Sequence, residues 1–122
     1  MKSDKRRRAE GRGQRGETIA AWLLRLKGYR IIARGMRNSM GEIDIIAKRR
    51  HILAFIEVKT RGTLDEALNA VSLRQRQRIE RAAIGYMGIR KDLDKLDIRF
   101  DVIAVLPKTW PRHVTDAWRP GN

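Results

Sequence analysis

Apolar residues recur along this chain with two periods, and the places where one gives way to the other mark its elements. Over residues 17–27, Glu17, Ala20, Ala21 and Leu24 fall at i, i+3, i+4 and i+7, while Ile19, Trp22, Leu23 and Leu26 form a second stripe beside them. That is the pattern of a helix apolar over most of its circumference. Such a helix is expected to pack against a sheet, with Gly28 as the left-handed cap that ends it. Residues 29–36 then alternate as a first strand, with Tyr29, Ile31 and Ala33 on one face and Ile32 on the other. A turn over 37–40 leads to Gly41, expected to serve a special backbone conformation, and to two further strands within 41–61 joined by residues 48–51.

The third strand ends near Thr60. Residues 62–69 read as a loop, and 70–87 as a second helix with Gln75, Ile79, Ala82, Ala83 and Tyr86 facing inward. Residues 88–95 form a charged link, and 96–106 alternate as a last strand stopped by Pro107. Trp110 and Trp118 in the remaining segment are more aromatic surface than a disordered tail needs, and are expected to fold back onto the core. The order α-β-β-β-α-β gives an α/β fold: a small sandwich with a mixed central sheet and helices packed on it. A single domain spans 16–118, preceded by a flexible basic arm at 1–15 and followed by a tail at 119–122.

Composition narrows the partner. The chain has 122 residues, enough for one modest core, and its 28 Lys plus Arg against 14 Asp plus Glu give a net charge of +14. A surplus that large points to a polyanion, and counterion release would make binding strongly salt-sensitive. A membrane role is disfavoured because no long apolar run accompanies the charge. The chain has no cysteine, which excludes disulfides, zinc–thiolate sites and thiol catalysis. The basic N-terminal residues are followed by no apolar run of the secretory kind, so a cytoplasmic location is expected. Residues 1–15 can serve as a solubilising tail or as a phosphate-contacting arm. His51 and His113, single and far apart, are expected at the surface.

Charge inside the apolar strands needs explaining, because an unpaired desolvated charge costs several kcal/mol or more. Alternation places Glu42, Asp44 and Ile46 on one face with Ile43 and Ile45 on the other; it likewise groups Phe55, Glu57 and Lys59 opposite Ile56 and Val58. An even-length turn puts Asp44 and Glu57 on the same side. A two-residue turn at Arg50 and His51 sets them directly opposite, roughly 4.5–5.5 Å apart at Cβ, and a turn one step earlier sets them diagonally, roughly 7–8 Å apart. Either spacing brackets one hard cation, and all-oxygen ligands favour Mg²⁺ or Mn²⁺ over zinc. Lys59 reaches the same space. An exposed hairpin face with a simple Asp44 or Glu57 to Lys59 salt bridge fits the spacing as well. Asp101 reads as a structural partner for Arg99. Arg74, Arg78 and Arg81 make a basic stripe beside Gln75, either a solvated face or a phosphate contact.

The matching residues run Gly16-Glu17 with Ala20 and Leu24, Gly28-Tyr29, Gly41-Glu42-Ile43-Asp44, Phe55 through Arg61, Glu66-Ala67, Arg78, Ala82-Ala83, Tyr86 and Arg99 through Val102. With them the chain resembles the YraN-like family of predicted endonucleases, within the PD-(D/E)xK superfamily related to Holliday-junction resolvases. The resemblance implies a restriction-endonuclease-like sandwich and metal-dependent hydrolysis of DNA phosphodiesters, with branched DNA as the suggested substrate. It implies Asp44 and Glu57 as ligands of Mg²⁺ or Mn²⁺, Lys59 assisting the attacking water, and Glu17 completing the metal cluster. Arg61, Arg74, Gln75, Arg78 and Arg81 would then contact nucleic acid, although the family often carries Lys where Gln75 stands. The loop at 62–69 is shorter than most members have, which weakens any lid role. A two-fold homodimer would suit paired scissile strands. The competing readings are a non-catalytic nucleic-acid-binding module on the same fold and, more remotely, an RNA-associated basic protein.

Overall fold

A computed structural model describes the backbone of residues 4–121 and the side chains of residues 13–121. Its elements are α1 (Asp4–Leu26), β1 (Arg30–Asn38), β2 (Gly41–Arg49), β3 (Ile52–Thr60), α2 (Leu64–Asn69), α3 (Leu73–Ile89), a 3₁₀ turn (Lys91–Leu93), β4 (Asp97–Val105) and β5 (Arg112–Trp118). The five strands lie side by side in sequence order. β1, β2 and β3 form antiparallel hairpins, β4 returns parallel to β3 after the helical crossover, and β5 closes the far edge antiparallel to β4. The expected mixed sheet with helices packed on it is what the chain forms.

Each face of the sheet carries its own core. One is shared with α3 and holds Ile43, Ile46, Leu53, Phe55, Ile79, Ala82, Ala83, Tyr86 and Phe100, with Trp118 at its margin. The other is shared with α1 and holds Ala20, Ala21, Leu24, Tyr29, Ile45, Ala47, Ala54, Ile56, Ile103 and Val105. The small residues Ala20, Ala21, Ala82 and Ala83, all essentially inaccessible, let both helices lie close on the strands. Phe55 meets Tyr86 edge-on with centroids 6.4 Å apart and Phe100 at 5.8 Å, and Phe100 stacks on Trp118 at 5.3 Å. Each such pair contributes about 0.5–1.5 kcal/mol beyond the area it buries.

Several elements differ from the sequence expectation. The helix expected from Glu17 starts at Asp4: Lys, Arg, Ala and Glu favour helix strongly enough to carry Gly11 and Gly13 at about 1 kcal/mol each. The phosphate-contacting side chains expected in the arm at 1–15 lie largely outside the described residues. The segment 62–69 is not a loop throughout but holds α2, which Thr63 starts by accepting the Glu66 amide on its Oγ1. Ser72 does the same for Gln75 at the start of α3, so two capped helices stand where one was expected. The segment after Pro107 supplies β5. Trp118 packs as expected, but Trp110 is 72% exposed. His113 is no surface residue: its imidazole is buried and bonds Asp101 through Nε2 at 2.8 Å. Gly28 has the expected positive φ of 87°. Gly41 is needed for space rather than for its φ, since a Cβ there would stand 3.3 Å from the Arg78 carbonyl oxygen.

Asp101 explains how β4 and β5 stay joined across an irregularity. The register passes from Phe100↔Trp118 to Val102↔Val114, so β5 spends extra residues opposite Asp101, and Asp116 takes a φ of 53° within the bulge. The wholly buried Asp101 carboxylate accepts the Asp116 amide at 3.0 Å, the Arg99 guanidinium twice at 2.8 Å, and His113. The expected Arg99 partnership is present. Those bonds hold the Asp101 carboxyl below the usual carboxylate range against the opposing effect of burial.

Candidate metal and phosphate site

The hairpin between β2 and β3 turns at Arg50 and His51, as the register Arg49↔Ile52 through Ile45↔Ile56 requires. Continuing that register sets Asp44 against Glu57, the closer of the two spacings expected. The regular pairing stops there. Asp44 turns its carboxylate toward β3 and its Oδ2 accepts the Val58 amide at 2.8 Å, replacing a ladder bond with a side-chain one. Strict alternation fails at the same point. Ile43 lies in the α3-side core and Ile45 in the α1-side core, so they do not share a face as expected. On the neighbouring β1, between the pairs Arg34↔Ile45 and Met36↔Ile43, Gly35 adopts a φ of 59°.

Four side chains converge at this opening. The Asp44 and Glu57 carboxyls come within hydrogen-bonding reach of each other. Glu57, only 6% exposed, also accepts the Gln75 amide on Oε1 at 2.9 Å and faces the Lys59 ammonium at 3.3 Å. Gln75 therefore contacts the acid rather than open solvent, and α3 places it there because it stands in the first turn, over the end of β3. Glu17 approaches from the opposite side on α1. The approach depends on Gly16, which is buried against β3: a Cβ there would lie 2.7 Å from Thr60 Oγ1 and 3.6 Å from Val58 Cγ1. All four meet at the carboxyl end of the parallel pair β3 and β4, the end at which open α/β sheets place their ligands.

The electrostatics are those of acids crowded together. Glu57 is pushed up to about 8, first by burial and then by the Asp44 charge, with Lys59 opposing. Asp44 is also raised, chiefly by burial, against the Val58 hydrogen bond and Lys59. Glu17 rises to about 7 through burial and the neighbouring Asp44, with Arg34 partly offsetting. A cation between the carboxylates would relieve this repulsion.

The donor set fits a hard divalent ion in one particular way. Among the described residues, no three His, Cys, Asp or Glu side chains converge closely enough to cage a metal. Glu17, expected as a third ligand, stands near Asp44 without closing such a set. Asp44 and Glu57 together offer what Mg²⁺ ordinarily takes from a protein: one or two carboxylates, the other positions being left to water and phosphate. Among the described residues, neither acid is paired with an arginine. Glu42 is, at 3.1 Å from Arg37 on the surface, and from there its charge adds to the upward push on Asp44 and Glu17.

The basic residues are placed unequally. Arg74, Arg78 and Arg81 are exposed along α3 as expected, and Arg61 is exposed immediately beyond β3. Sequence reasoning assigned no role to Gly16, to Arg34 beside Glu17, or to the Val58 amide. Only Gly16 left a signal, as an isolated glycine within a helical pattern.

Comparison with known proteins gives a family and little more. The family model described as "Uncharacterised protein family UPF0102" matches residues 16–105. A UPF0102 protein of Parvibaculum lavamentivorans is 50% identical over 108 residues, covering 88% of this chain and 81% of that protein. Relatives under the same family name from Chelativorans sp. and Mesorhizobium japonicum are each 47% identical, over 93% and 98% of this chain and 91% and 96% of their own lengths. No described helix is long and apolar enough to cross a membrane.

Proposed function

The chain belongs to the UPF0102 family, the YraN-like family its sequence resembles, and from that footing we propose that it is a divalent-metal-dependent DNA endonuclease. The observation that carries this reading is the pairing of the half-buried Asp44 carboxyl with the buried Glu57 carboxyl, both raised in pKa, with Lys59 at 3.3 Å from Glu57 and, among the described residues, no arginine on either acid. Asp44 and Glu57 would hold Mg²⁺ or Mn²⁺. When bound, such an ion neutralises charge on the scissile phosphate and makes a water easier to deprotonate.

The chain's own residues do the rest. Lys59 places a positive charge beside the phosphate, where charge develops in the transition state. Gln75 fixes the orientation of Glu57 through its amide. Glu17, with a pKa near 7, is poised to accept a proton at neutral pH if the attacking water lies on its side. Arg61, Arg74, Arg78 and Arg81 supply exposed charge for the DNA backbone, which fixes register without reading sequence. A branched substrate rests on the family resemblance.

Incubation with junction, flap and single-stranded DNA in Mg²⁺ or Mn²⁺ tests the reading. Cleavage by the wild type, abolished in Asp44→Ala and Lys59→Ala, is expected. Binding without cleavage of any of these substrates would leave a nucleic-acid-binding module.

A further inference from the structure

Beside the acid cluster lies a trough of about 420 Å³ that the chemistry above does not use. Its walls are Ile19 of α1 and Val105, Leu106 and Pro107 at the end of β4, and its rim carries Arg15 and Arg61. Among the described residues, none that lines it is acidic. The volume lies within the range of sites that enclose a small organic group, and too low for a duplex. Its lining includes Thr60 and Arg61, which directly follow Lys59, and Gly16, which directly precedes Glu17, so two chain segments of the acid cluster lead into it. Gly16 and Gly62 also line it, which lets backbone rather than side chain form part of its floor.

We propose that this trough is a subsite for one unpaired nucleotide next to the scissile phosphate. This inference rests on the nuclease reading and narrows it to strands that leave the duplex at the cut. The base lies against Ile19, Leu106 and Pro107, whose apolar surfaces accept any base face. Arg15 and Arg61 hold the flanking phosphates. An apolar slot with guanidinium groups on its rim, on a chain of net charge +14, offers an unpaired nucleotide a dry surface for its base and charge for its phosphates.

Binding in EDTA, by anisotropy of a labelled blunt duplex and of the same duplex carrying a single-stranded flap, provides the test. The wild type should prefer the flap by about tenfold, the order expected of drawing one base out of water against aliphatic walls. Ile19→Lys separates the base contact from simple charge: it adds a cation yet spoils the apolar wall. Flap preference should fall to near parity while blunt-duplex affinity holds or rises. Ile19 is 41% exposed, so the fold should tolerate the change; Leu106→Ser gives the same readout if it does not. Equal affinity of the wild type for both DNAs, or a preference that survives both variants, overturns the subsite. Because no metal is present, a chain that prefers the flap but cuts nothing in Mg²⁺ sinks the nuclease reading alone. One that cuts, yet binds both DNAs equally, sinks the subsite alone.

Discussion

Replacing Glu57 by Gln should stabilise the metal-free protein at pH 8 and do almost nothing at pH 5. The Glu57 pKa stands at about 8 against 4.5 for a free side chain. Over that interval the folded state binds a proton the unfolded state has released, so stability falls as pH rises from about 5 to 8. At 1.36 kcal/mol per unit the rise sets a ceiling of about 5 kcal/mol. Lys59 and relaxation around Asp44 reduce it, and replacing a buried charge by a neutral group of the same shape commonly yields about 1–4 kcal/mol. For a domain of this size, about 2 kcal/mol corresponds to a Tm increase of roughly 5–10 °C. Thermal melts by circular dichroism at pH 5, 6.5 and 8 in EDTA would measure it. Mg²⁺ should raise the Tm of the wild type at pH 8 and leave Glu57→Gln unmoved. Gln75→Lys, which sets an ammonium against Glu57, should flatten the wild-type pH dependence. A Glu57→Gln protein less stable than wild type at pH 8, or shifted equally at all three pH values, would refute the reasoning.

Asp101→Asn should lose about 3–5 kcal/mol, since it leaves Arg99 without its buried counter-charge and breaks the set of bonds that bridges the β4–β5 bulge; urea unfolding measures it. The same carboxyl, held low by its partners, contributes stability above its unfolded pKa that is lost as pH falls through its folded value, so melts below pH 4 should show a steep acid limb absent from the variant. Gly16→Ala gains about 1 kcal/mol in helix propensity but meets Thr60 Oγ1 at 2.7 Å, which should cost about 1–3 kcal/mol. The net effect should be destabilising in the wild type and stabilising in a Thr60→Ala background, as a double-mutant cycle of melts would show. Removing Arg74, Arg78 and Arg81 together should lower the slope of log K against log salt for duplex DNA by up to about 0.9 for each phosphate they neutralise, read from binding across a salt series.

Much of this molecule can be read from the chain because its chemistry is local. Asp44, Glu57 and Lys59 sit in two strands joined by a two-residue turn, so period-two reasoning and turn length suffice to bring them together. The inward stripe of α3 follows from helical spacing in the same way, with Ile79, Ala82, Ala83 and Tyr86 all buried. What escapes such reasoning is set by residues distant in sequence. β5 is not recognisable by itself because its burial depends on β4, and its alternation is interrupted by the bulge that Asp101 holds. His113 is buried only because Asp101, a dozen residues away, supplies its partner. The opposite facing of Ile43 and Ile45 departs from period-two alternation, and nothing in their own segment announces it. How near Glu17 of α1 comes to Asp44 of β2 is likewise a distance no spacing along one segment encodes.

The central claim is that Asp44 and Glu57 together make a divalent-cation site. Crystals grown at pH 8 with Mn²⁺ and measured at the manganese absorption edge test it most directly. The account predicts one anomalous peak per chain, in contact with oxygens of both carboxylates, and none in Glu57→Gln crystals. Ordered Asp44 and Glu57 carboxyls bonded to each other, with no peak between them at high Mn²⁺, would contradict it.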